Sequence, residues 1–113
     1  MSLQPIPEAW RTAVISALKS GRFQFTTEGR KLWQNGFPGA FRQELVDDFV
    51  SMLSAPNASG CPVRMNFPDG DTWEFWFSHM GFKAYGKILL KTDQMNLLIL
   101  SAHHPRKPKL SCE

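Results

Sequence analysis

The sequence predicts an α+β domain, with N-terminal helices packed on a four-stranded antiparallel sheet. Apolar residues recur at helical spacing in the first half of the chain and alternate at strand spacing in the second. A loop rich in Ser, Pro, Asn and Gly, 54–61 (SAPNASGC), marks the change between them. That loop is too short to separate two domains. Residues 1–113 therefore read as one unit, with 1–6 a flexible lead-in and 105–113 a basic, proline-bearing tail. With 42% apolar and 20% charged residues, the chain can build one real core.

Pro5 and Pro7 precede a helix over 8–20, where Trp10, Val14 and Leu18 form an apolar stripe and Gly21 is the stop. Residues 22–25 (RFQF) suit a short extended segment. Thr26 or Thr27 then caps a helix over 28–34, ended by Asn35-Gly36. Arg30 and Lys31 on this helix read as a solvated face. Pro38 and Gly39 open a third helix, 40–53, with Phe41, Leu45, Phe49 and Met52 on its apolar face. Asp47 and Asp48 fall on the outer face and read as solvated surface. Val63 to Phe67 and Thr72 to Phe77 alternate around a Pro68-Asp69-Gly70-Asp71 turn, which makes a hairpin. One face of it carries Val63, Met65, Phe67, Trp73, Phe75 and Phe77, and the other Arg64, Asn66, Glu74 and Trp76.

The second hairpin, 82–107, dominates the C-terminal half. Phe82, Ala84, Gly86, Ile88 and Leu90 share one strand face, with Lys83, Tyr85 and Lys87 on the other. Thr92-Asp93-Gln94 makes the connection. The last strand, 95–102, is almost wholly apolar and is expected to be covered on both faces, with Leu98 and Leu100 in the core. It runs into His103, His104, Pro105, Arg106 and Lys107.

Thirteen basic against ten acidic residues give a net charge of +3 and a pI near 9.1, which permits a polyanionic partner without demanding one. No run approaches the ~20 apolar residues of a membrane span, and the first residues lack the apolar stretch of a signal peptide. A cytoplasmic protein with no membrane partner is expected. Cys61 and Cys112 do not make a zinc motif, and in the cytosol free thiols are expected. Asn57-Ala58-Ser59 matches a glycosylation acceptor, which is silent without secretion.

No phosphate-binding glycine loop, nucleophile elbow or zinc-protease motif is present. Adjacent strand residues point to opposite faces, so His103 and His104 are not expected to share a metal ion, and no cofactor is expected. The remaining chemistry is cationic and proton-transferring: Tyr85, Lys87, His103, His104, Arg106 and Lys107. Cleaving an RNA phosphodiester without metal needs a base for the 2′-hydroxyl, an acid for the leaving oxygen and cations for the developing charge. Histidine suits the proton transfers, and Lys and Arg suit the charge. His103 is the expected acid or base. Lys87 and Arg106 are expected to hold the phosphate, and Tyr85 to stack a base or assist proton transfer. Trp76, Lys83, Lys107 and Arg64 would extend the nucleic-acid contact. The same lysines also serve to keep a strand soluble.

The stretch AYGKILLK…LLILSAHHPRK resembles the last two core strands of small bacterial RNase toxins. These are the RelE-type mRNA interferases and the barnase-like and colicin RNases that share their fold. The resemblance covers roughly residues 62 to 107. It implies an RNA substrate, a small antitoxin as protein partner, and catalytic positions at Tyr85 or Lys87 and at His103 or Arg106. The chain is less basic than most such toxins, and its last element is a proline-broken tail. Two other classes fit the residues: a non-catalytic nucleic-acid-binding domain stacking bases on Trp73, Trp76 and Tyr85, and a phage- or plasmid-borne protein-interaction module.

Overall fold

A computed structural model describes residues 2–65 and 70–113. Three helices, α1 (Glu8–Lys19), α2 (Thr27–Gly36) and α3 (Arg42–Leu53), accompany strands β1 (Gln4–Pro5), β2 (Phe23–Phe25), β3 (Ser59–Val63), β4 (Gly70–His79), β5 (Phe82–Lys91) and β6 (Leu97–His103). The α+β class holds. The sheet differs from the expected four antiparallel strands: it is six-stranded and mixed, in the order β1-β3-β4-β5-β6-β2. Strands β3 to β6 form an antiparallel meander as expected, but β3 starts inside the segment 54–61 expected as a loop rather than covering 63–67, and Gly70 and Asp71 of the expected turn belong to β4. Both edges are added by short N-terminal segments, and β2 runs parallel to β6, with Phe23 beside Leu97. Segments of two and three residues carry too little alternation to announce a strand; their partners decide them.

Alternation in β4 and β5 sends Trp73, Phe75 and Phe77 to one face with Ala84, Ile88 and Leu90. There they meet Trp10, Val14 and Leu18 of α1 and Leu45, Phe49 and Leu53 of α3. Gly86 is required in this layer. A Cβ at that position would lie 2.8 Å from the Phe75 ring and 3.1 Å from each of the Phe49 and Phe77 rings. Phe41, expected in the core, is 73% exposed. It is the N-cap of α3 rather than part of its apolar stripe, and its amide donates to the Glu44 carboxylate at 2.7 Å. Leu98 and Leu100 are only half-buried; Leu97 and Ile99 fill the core instead.

The expected flexible lead-in is tied down by the β1–β3 pairing and by Ile6, which is buried. Arg11 of α1 bonds the carbonyls of Ile6, Leu53 and Ala55, and so covers acceptors left open where α3 ends. Thr26, not Thr27, caps α2, accepting from the Gly29 amide at 3.0 Å. In the first hairpin Cys61 lies opposite Glu74. The expected positions Asn66 and Phe67, and the Pro68-Asp69 part of its turn, fall outside the described residues. In the second, Asp93 accepts from the amides of Met95 and Asn96, and Gln94 takes a positive φ of 58°. Among the described residues no helix is long and apolar enough to cross a membrane.

Candidate functional site: a basic cleft on the open sheet face

One irregularity positions the site. From Leu90↔Leu97 to Ile88↔Ile99 the β5–β6 register is regular, but Lys87 then pairs with Ser101, which leaves Leu100 as an extra residue. Such a bulge reverses the facing of everything beyond it. Ile99 faces the core and His103, four residues on, does not: it pairs with Tyr85 on the face opposite α1 and α3. His104 turns to the other side, where its ring stacks on Phe37 at 4.2 Å and its Nε2 bonds the Gly36 carbonyl at 2.9 Å.

A cleft of about 630 Å³ occupies this open face. Its floor comes from Glu74 and Trp76 of β4, Tyr85 and Lys87 of β5, and Ser101 and His103 of β6. The start of α2 supplies one wall through Thr26, Glu28 and Leu32, and the C-terminal segment supplies another through Arg106, Lys107 and Lys109. α2 sits tight against the bulge because Gly29 has no side chain. A Cβ there would meet the Ile99 and Leu100 carbonyls at 2.9 and 2.8 Å.

All four residues expected to be catalytic, Tyr85, Lys87, His103 and Arg106, therefore line one cleft, together with Trp76 and Lys107. Lys83 stands beside it, with its ammonium 4.3 Å from the Trp76 ring centroid. Arg64 is exposed beyond β3 and does not line the cleft.

Glu74 was not singled out in the sequence, yet it organises the floor. It is only 6% exposed, accepts from the Tyr85 hydroxyl at 2.5 Å, and accepts from the Ser111 amide at 2.7 Å. Burial alone would raise its pKa. The hydrogen bonds from Ser111 and Tyr85, with the charge of Lys87, outweigh burial and hold the carboxyl below its ordinary value of 4.5. Tyr85 shifts the opposite way. Its burial, its bond to Glu74 and the Glu74 charge all push the phenol well above its ordinary range. Tyr85 therefore keeps its proton, held on the Glu74 carboxylate.

His103 is differently set. Its Nδ1 lies 2.7 Å from the His104 carbonyl oxygen. A carbonyl only accepts, so Nδ1 carries the hydrogen. Its ring centroid is 5.1 Å from that of Tyr85.

Because the folded-state pKa of Glu74 is depressed, its contribution to stability is present above the ordinary glutamate value and lost as pH falls through the lower folded value. Glu74→Gln is therefore expected to melt below the parent at neutral pH, with the gap closing in acid. Thermal melts of both proteins from about pH 3 to 7 check this; a gap independent of pH would contradict it.

The basic C-terminal tail is fastened to the sheet at its end. Leu110 is 4% exposed, Glu113 accepts from Trp76 Nε1 at 3.1 Å and from the Leu110 amide at 2.9 Å, and Cys112 is joined to Cys61 by a disulfide with Cα atoms 5.7 Å apart. The two cysteines, expected as free thiols in the cytosol, are paired in this structure, because docking of this segment brings Cys112 against β3.

A second polar cluster lies in the core. His79 is fully buried at the end of β4. The Trp33 indole can only donate, so His79 Nε2 accepts from it at 3.1 Å, and Nδ1–H donates to Asp48 at 2.7 Å. Asp48 is thus no mere solvated surface group. It and Trp33 join α3 and α2 to the sheet through one ring.

Comparison of the chain with protein-family models, with characterised proteins and with solved structures gives no match.

Proposed function

We propose that the protein is a small metal-independent ribonuclease of toxin type, cytoplasmic, and that the cleft takes single-stranded RNA. The observation that carries this reading is the convergence of Lys87, His103, Arg106, Lys107 and Lys109 with Trp76 and Tyr85 on one open face. Cations at that density suit a phosphodiester chain, and aromatic rings beside them suit unstacked bases. His103 Nε2 would transfer the proton, Lys87 and Arg106 would hold the scissile phosphate, and Tyr85 would provide a ring rather than a base. The likeness of the last strands to the RNase toxins adds growth arrest and a small neutralising protein partner to the proposal.

The test is binding and cleavage of single-stranded RNA by purified protein in the presence of a chelator. Binding is expected to weaken with salt, with a log–log slope of about −3 if four or five phosphates are contacted. Neither binding nor cleavage at low salt would end this reading. Binding without cleavage would favour the non-catalytic nucleic-acid module, which the part-exposed Trp76 and its Lys83 neighbour also suit.

A further inference from the structure

We infer that the Cys61–Cys112 disulfide is a redox latch that sets RNA affinity by holding one wall of the cleft in place. The inference rests on the cleft being the RNA site. Three of the cleft's cations, Arg106, Lys107 and Lys109, lie on a segment without helix or strand. Nothing regular in their own backbone holds them there. The fastenings come later, over residues 110–113: Leu110 buried, the Ser111 amide on Glu74, the Cys112 sulfur on Cys61, and Glu113 on Trp76. Only one of these is covalent. It is anchored in β3, which lies beside β4, and β4 supplies both other anchors, Glu74 and Trp76. The core under α1 and α3 uses neither cysteine.

Reduction by a small dithiol breaks the sulfur–sulfur bond. Two electrons and two protons pass to Cys61 and Cys112 as thiols, and the dithiol closes into its own disulfide. The strap is then held by one buried leucine, by the Ser111 amide on the buried Glu74 carboxylate and by the exposed bond between Trp76 and Glu113, with no covalent fastening left. With the strap released, the three cations no longer converge on Lys87 and His103. In a reducing cytoplasm the thiol form predominates, and oxidation completes the cleft. Linkage makes the coupling reciprocal: bound RNA protects the disulfide by the factor by which the disulfide strengthens RNA binding.

The experiment measures binding of a 2′-O-methyl oligoribonucleotide, which cannot be cleaved, to the full chain oxidised and after dithiol treatment. Reduction is expected to weaken binding by roughly 10- to 100-fold and to make the salt slope shallower by about 2, three contacts at about 0.7 each. The reduced protein is expected to keep a cooperative melt; complete unfolding on reduction would overturn a local latch. The variant Arg106→Gln/Lys107→Gln/Lys109→Gln, with the disulfide intact, is expected to reproduce the shallower slope. Parent-like binding by that variant would overturn the proposal. Equal affinity and slope in the oxidised and reduced proteins would overturn the latch while leaving the cleft as the RNA site. No binding in either state would remove both.

Discussion

Phe49→Ala is expected to lower stability by about 3–5 kcal/mol. The side chain is completely buried, with its ring 4.5 Å from that of Phe77 and 5.9 Å from that of Phe75. Those rings close over Gly86, so no larger residue stands by to fill the space. Total stability for a domain of this size is about 5–15 kcal/mol, so the loss would bring the variant near its threshold. Phe41→Ala is the internal control. That residue lies on the same stripe in sequence but is exposed in the fold, and its removal is expected to cost no more than about 0.5 kcal/mol. Chemical denaturation of the two variants decides the matter; similar losses would contradict the packing described.

The second large effect is chemical. On the proposed ribonuclease reading, His103→Ala is expected to reduce RNA cleavage about 10²–10⁴-fold, the usual worth of a positioned acid–base group, with normal melting. His104→Ala should show the reverse pattern: cleavage largely kept, and stability lowered by about 1 kcal/mol as the bond to Gly36 is lost. Single-turnover cleavage and thermal melts on the same preparations separate these outcomes. Equal losses of cleavage in both variants would remove His103 from its assigned role.

Periodicity in the sequence is enough to locate α1, α3, β4 and the second hairpin, because long segments repeat their apolar spacing several times; β3, at Ser59–Val63, lies largely in the Ser/Pro/Asn/Gly-rich stretch that reads as a loop. It also separated Trp76, Tyr85 and Lys87 from the buried face of their strands. It did not determine which histidine would join them. That depends on Leu100, one apolar residue among many, being left out of register by the bulge. A strictly alternating strand would have put Ile99 and His103 on the same face. Glu74 and His79 were passed over because their importance lies in partners distant in sequence: Ser111 for one, Trp33 and Asp48 for the other. The pairing of the cysteines is illegible for a related reason. The strap docks through a single leucine, and one leucine gives no periodic signal.

The strand order carries a consequence for biosynthesis. Both edges of the sheet come from the first 25 residues, while the four strands between them are made last. At about 5–20 residues per second, the ribosome takes roughly 4 to 15 seconds to advance from Phe23 to its neighbour Leu97. During that interval the nascent chain carries a phenylalanine-bearing segment whose docking site has not yet been made. Until β6 emerges, Phe23 to Phe25 have no strand to pair with, and this edge of the sheet closes last.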